Sequence, residues 1–271
     1  MFIDTHAHLN FKAFKDDYKD AIKQAFDAEV KGIINVGSNF ETSGKAIKIA
    51  NQFENEMIFA AVGLHPIHVD DEDFHYEKYL RLAKNKKVVA IGETGLDFFR
   101  IKKSNFCVQN DKKQIEVFKE HIKLAKELNL PLIAHCRGSE NNPHEAYDKI
   151  IEIIRFAQNN MKDKIRGVIH CFVGNLAQAK ALIGMGFYIG VNGIATFKNS
   201  CELQNIIKVV ALEKIILETD CPWLAPIPYR GKQNSPQYIP VIAQKIAEIK
   251  NINIKKVAQT TTKNVRKLFT I

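Results

Sequence analysis

Residues 88–136 carry the pattern that decides the fold: VVAIGET at 88–94, DKKQIEVFKEHIKLAKEL at 111–128 and PLIAHC at 131–136. The outer two are short apolar runs. In the middle one Ile115, Phe118, Ile122, Ala125 and Leu128 recur at spacings of three or four, which places them on one face of a helix. Strand, amphipathic helix and strand in succession make a parallel βαβ unit, because the helix carries the chain back to begin a second parallel strand. The rhythm extends both ways, with further strands expected at 2–9, 32–37, 57–64, 167–172, 187–193 and 215–220, and helices around 236–250 and 254–269. Eight such units in 271 residues match an α/β (β/α)₈ TIM barrel, with an open doubly wound sheet as the other arrangement. No linker-like stretch or shift of composition divides the chain, so a single domain spanning 1–271 is expected.

With 46% apolar and 25% charged residues, the composition excludes disordered, collagenous and disulfide-framework classes. The five cysteines (107, 136, 171, 201 and 221) are widely spaced without a C-x-x-C, which fits reduced thiols. Asp4, His6 and His8 stand where a secretion signal would need a basic and then an apolar region, and no apolar run reaches the roughly 18 residues of a membrane span. A cytoplasmic protein with an uncleaved start is expected, with no membrane association and no evident obligate protein partner. The net charge of +9 tilts it toward a polyanionic partner, although no block of five like charges concentrates it.

Barrel strands are covered on both faces, so an ionisable residue near a strand's C-terminal end needs a partner or an ion. His6 and His8 end the first expected strand, Glu93 the fourth, His135 the fifth, His170 the sixth and Asp220 the eighth. A single histidine so placed is ordinarily a hydrogen-bonded core residue, but four with two carboxylates on one rim point to metal. His6 and His8, two apart on a strand, face the same way and can share a cation. Six N/O donors suit two divalent ions with Glu93 bridging. His6, His8 and Asp220 would hold one and His135 and His170 the other, with an acidified water between them for hydrolysis and Asp220 orienting it or taking its proton. A His and carboxylate set accommodates Zn²⁺, Mn²⁺ or Co²⁺, and Mg²⁺ less readily. By the same phase Asp4 and Glu218 point inward and are candidates to orient the ligands, while Cys136, Cys171 and Cys221 turn toward the helix layer as small core residues. His65 would touch substrate or leaving group as a catalytic residue without ligating. Arg137, Arg230 and Lys232 lie in rim loops suited to phosphate; the stretch 97–110 is long for a βα loop and mixes aromatics with Arg100, Lys102 and Lys103. His68, His75, His121 and His144 read as solvated surface residues.

The segments DTHAHL (4–9), GLHP (63–66), IGETGLD (91–97), PLIAHCR (131–137), HCFVG (170–174), ETDCPWLAP (218–226) and RGKQN (230–234) closely resemble, in order and spacing, the TatD family of metal-dependent deoxyribonucleases within the amidohydrolase-like superfamily. The resemblance runs from Phe2 to Phe269. It implies a TIM barrel with a two-metal centre, its ligands on His6, His8, Glu93, His135, His170 and Asp220. It further implies phosphodiester hydrolysis in DNA, often 3′→5′ on single strands. Family members commonly read H-x-R-D-A after the fifth strand; here His135-Cys136-Arg137-Gly138-Ser139-Glu140 precedes a longer insertion to His144, so one wall of the substrate cleft departs from the family. Two other readings stand beside this one: a two-metal amidohydrolase or phosphotriesterase acting on a small molecule, and a noncatalytic nucleic-acid-binding barrel. Glu93 argues against the first, because two-metal amidohydrolases typically bridge with a modified lysine.

Overall fold

Eight strands run parallel and pair in chain order: β1 (Phe2–Ala7), β2 (Val30–Val36), β3 (Met57–Val62), β4 (Val88–Asp97), β5 (Leu132–Arg137), β6 (Gly167–Ile169), β7 (Phe187–Val191) and β8 (Ile215–Leu217). The computed structural model describes residues 1–99, 107–159 and 165–271, without the side chains of 107–110. Arg100, Lys102, Lys103 and the Cys107 side chain therefore lie outside the described residues. The ring closes just past β8: Ala7 bridges Cys221 in parallel, the Asp220 N–H donates to the His6 carbonyl at 2.8 Å, and the His8 N–H donates to the Cys221 carbonyl at 2.9 Å. Outside the strands lie α1 (Tyr18–Asp27), α2 (Phe40–Gln52), α3 (Tyr76–Ala83), α4 (Cys107–Glu127), α5 (Glu145–Asn159), α6 (Leu176–Gly184), α7 (Cys201–Val209), α8 (Ile239–Lys250) and α9 (Ile254–Phe269). The expected TIM barrel is the observed fold.

Local sequence sets several boundaries. Asn39 and Asn175 start α2 and α6 with reciprocal capping boxes, and the Asn253 side chain caps α9. The apolar residues form two layers. Ile33, Ile58, Ile91 and Leu132 pack outward against the helices. Ile34, Ile133, Val168 and Ile216 fill the barrel interior with Leu268 and Phe269 of α9. That last helix covers the N-terminal end of the barrel: Asn264 donates to the carbonyls of Leu212 and Ile215 at 2.9 and 2.8 Å. With one end plugged, buried polar side chains can gather only at the other.

His121 is not a surface residue. It is fully buried, accepts from the Leu64 N–H at Nε2 (3.0 Å), and donates from Nδ1 to the Val117 carbonyl (2.8 Å). It ties α4 to the segment leading into His65, and it shares the inward helix face with Phe118, Ile122 and Ala125. Burial lowers its pKa from 6.5 to about 4, so the folded protein keeps it neutral while the unfolded chain protonates it. The unfolded state then binds the extra proton between pH 6.5 and 4, and stability must fall as pH drops through that window, by an amount of the order of 3 kcal/mol. In His121→Phe the Leu64 N–H loses its acceptor, costing about 1–3 kcal/mol at pH 7.5, but the acid penalty vanishes. Urea titrations from pH 7.5 to 4.5 should show the gap between the two proteins narrowing toward acid; a constant or widening gap contradicts the assignment.

Candidate metal centre

Glu93 sits at the centre of the C-terminal mouth. Its Oε2 lies 3.4 Å from His6 Nε2 and 3.6 Å from His8 Nε2, while its Oε1 lies 3.0 Å from His135 Nδ1, 3.2 Å from His65 Nε2 and 3.4 Å from His170 Nε2. Asp220 Oδ1 closes the group at 3.6 Å from His8 Nε2 and 3.9 Å from His6 Nε2. All six residues expected as ligands thus converge, and His65 joins them. They open into a cavity of about 350 Å³ whose lining includes Phe11, His68, Asp97, Arg137 and Trp223.

Of these imidazoles, His8, His170 and His65 are held by their far side. His8 donates from Nδ1 to the Val36 carbonyl at 2.9 Å, which leaves Nε2 as a lone pair facing the centre. His170 Nδ1 is 3.1 Å from Glu218 Oε1, which also accepts from the Cys171 N–H, so Nε2 again faces inward. Glu218 therefore contacts a candidate ligand from the side away from the centre. Asp4 does something else: it accepts from the backbone N–H groups of His6 (3.1 Å) and Thr219 (2.9 Å) and from the Thr219 hydroxyl (2.5 Å), which fastens the β1–β8 seam rather than an imidazole. His65 accepts from the Ile67 N–H at Nδ1 (3.1 Å), so its proton is on Nε2, aimed at Glu93.

The charges follow from this crowding. Burial alone would raise the Glu93 carboxyl, but the imidazoles of His65, His6 and His170 hold it well below the ordinary range. Burial lowers His65 to about 4, so it stays neutral. For His170 and His135 the nearby carboxylates outweigh burial. Glu218, Asp220 and Glu93 raise His170 to about 10; Asp97 and Glu93 raise His135 to about 9.

Strand alternation misplaces several residues because the strands end early. β6 and β8 each have three residues, so His170 and Asp220 stand on loops, and Cys171 and Asp220 have left-handed φ values of 47° and 59°. Cys171 accordingly turns toward the centre, its sulfur within 4.8 Å of donor atoms of His170 and Asp220, whereas Cys136 and Cys221 are buried core residues as expected. His135 groups with His65 and Glu93. Asp97, unremarked in the sequence, contacts His135 Nε2 at 3.1 Å through Oδ2. It lies four residues after Glu93, on the same face of β4. Gly95, between them, has φ +139°, and a Cβ there would collide with the His135 carbonyl oxygen. Of the expected phosphate-binding cations, Arg137 lines the cavity, its guanidinium 3.7 Å from the Phe99 ring centre. Arg230 and Lys232 are exposed and do not line it; Arg230 packs over Phe197 at 4.3 Å. Asn234 of that loop is fully buried and anchors it, donating to the carbonyls of Thr219 and Trp223. His68 and His144 are half-buried and His75 exposed.

The donor set fits divalent cations. His6 and His8 bring their Nε2 atoms to 3.0 Å of one another, though His8 has a lone pair there, and the buried His6 Nδ1 and Glu218 Oε2 have no hydrogen-bond partner among the described residues. His6, His8 and Glu93 form one group that could hold an ion, and His65, Glu93 and His135 a second that shares the same carboxylate.

The sequence profile described as TatD related DNase matches residues 3–270. The chain is 35% identical to the metal-dependent hydrolase YabD of Bacillus subtilis over the whole of both chains. It is 32% identical to a 3′-5′ ssDNA/RNA exonuclease, TatD of Escherichia coli, covering 99% of this chain and 98% of the other. The crystal structure of YjjV, a TatD homologue from E. coli, superposes with a TM-score of 0.87 at 28% identity over all of this chain and 98% of that one.

Cations that bind His135 and His170 must displace the protons these residues hold at neutral pH. Adding Mn²⁺ or Zn²⁺ to chelator-treated protein at pH 7.5 should release roughly one to two protons per chain, read in weak buffer with a pH indicator. It should also raise stability by about 2.7 kcal/mol at a hundredfold excess over Kd. Glu93→Gln should lose both effects; binding without proton release, or equal binding by the variant, contradicts the assignment.

Proposed function

The chain belongs to the TatD-related DNase family of metal-dependent hydrolases, and from that membership we propose that it removes nucleotides from the 3′ end of single-stranded DNA, with His6, His8, Glu93, His135, His170 and Asp220 holding two divalent cations. The observation that carries the reading is the Glu93 carboxylate shared among five imidazoles at the floor of an open cavity edged by an exposed arginine.

Cations in that set supply Lewis acidity and an acidified water. The chain's own groups do the rest. Asp220, kept ionised by His170, His8 and His6 against the effect of burial, accepts the attacking water's proton at Oδ1. His65, neutral with its proton on Nε2, donates to an oxygen of the phosphodiester as charge develops there. Arg137, braced on Phe99, offers a planar fork to the neighbouring phosphate. The insertion after β5 is pinned locally, with the Ser139 N–H donating to Glu145 and the Asn142 N–H to the Ser139 hydroxyl.

A 5′-labelled single strand should shorten stepwise from its 3′ end with an added divalent ion and stop on chelation. His65→Ala should lower kcat about 10²–10³-fold with unchanged metal content. DNA left intact with Zn²⁺, Mn²⁺, Co²⁺ and Mg²⁺ each supplied would overturn the reading, and turnover of a phosphotriester or cyclic amide instead would move the enzyme to the small-molecule hydrolases. A His65→Ala protein without metal would make His65 a ligand.

A further inference from the structure

On the far side of Phe11 from the metal centre, a second groove of about 480 Å³ opens between the segment after β1 and the face of α2. Phe11 and Tyr18 contribute to its floor, and Lys12, Lys15, Lys45 and Lys48, all exposed, stand along it. No carboxylate lines it among the described residues. Lys45 pairs with Glu41 at 2.6 Å, an exposed contact that a stronger anion can displace. The groove is continuous with the catalytic cavity through one side chain: Phe11 lines both, stacks on His8 at 4.4 Å, and meets the half-exposed Trp223 edge-on at 5.6 Å. The Tyr18 hydroxyl donates to Gln52 at 2.6 Å, which fixes its ring against α2.

Flat apolar faces beside a row of cations are what a single strand of nucleic acid requires, since bases stack on aromatic rings while ammonium groups follow the phosphates. A small neutral substrate has no use for four lysines, and a duplex would hide the base faces that Phe11 and Tyr18 could meet. We propose that this groove is a binding subsite for single-stranded DNA, holding the nucleotides next to the one in the catalytic cavity, and that Phe11 with Trp223 forms the sill over which the strand passes. The inference rests on the nuclease reading of the metal centre and adds what that centre lacks: a reason to prefer a polynucleotide over its terminal fragment. The lysines act on binding and leave the chemical step to the residues around Glu93.

The test separates binding from cleavage by using chelator-treated protein and fluorescein-labelled oligothymidylates of three and twelve nucleotides, followed by anisotropy over a salt series. The wild-type protein should bind the longer strand at least tenfold more tightly than the shorter. Lys12→Glu/Lys48→Glu should bind both about equally, with a salt slope reduced by about 1.4, the loss of two phosphate contacts at roughly 0.7 each. Lys12→Gln/Lys48→Gln, with milder charge loss and an unchanged thermal midpoint, should fall between. Wild-type protein that binds neither strand or shows no length preference, or variants that keep its affinity and slope, would overturn the groove. Loss of length-dependent binding in the variants from a wild-type protein that cuts no DNA would support the groove while refuting the exonuclease reading.

Discussion

One buried carboxylate governs the upper half of this molecule. Glu93 is 4% exposed, yet burial does not neutralise it, because imidazoles approach both of its oxygens. Removing it would leave two histidines held protonated by carboxylates, His135 and His170, without their shared counter-charge, and His6 and His8 facing each other over nothing. A buried charge paired this densely is expensive to desolvate and is a poor device for stability alone. It makes sense as a device for gathering donors at a single point.

The fold makes that gathering possible by dividing its interior. Apolar side chains of the strands, with Leu268 and Phe269 from the last helix, occupy the N-terminal end. Polar side chains at the other end are fastened from behind by carbonyls and carboxylates: Val36 behind His8, Glu218 behind His170, Asp97 behind His135. The seam between β1 and the segment after β8 is the critical joint. It carries His6 and His8 on one side and Asp220 on the other, and Asp4 bonds both sides at once.

Much of this is legible in the sequence. The alternation of apolar runs and amphipathic helices located all eight strands, and phase along them assembled the six candidate ligands. Where extended backbone stops, phase stops informing. The short β6 and β8 left Cys171 in a left-handed conformation and turned its thiol inward. Asp97 shares the phase of Glu93, but the sequence does not mark it, because it stands at the start of a loop-like stretch. His121 reads as polar because it is a helical histidine, yet its position between Phe118 and Ile122 marks the buried face on which it lies. Arg230 and Lys232 stand off the cavity because their loop is anchored by Asn234 instead. Nothing in the sequence pattern distinguished Phe11 or Trp223 from ordinary apolar residues; their meaning lies in which two cavities they border.

The central claim, that these six side chains converge in order to hold divalent cations around Glu93, is tested most directly by anomalous diffraction from crystals soaked in Mn²⁺ and measured at its absorption edge. The account predicts two peaks flanking the Glu93 carboxylate, one within coordination distance of His6 Nε2 and His8 Nε2 and the other next to His135, with the two facing imidazoles drawn onto the ion instead of onto each other. Manganese peaks confined to other parts of the molecule, with His6 and His8 still in mutual contact, would contradict it.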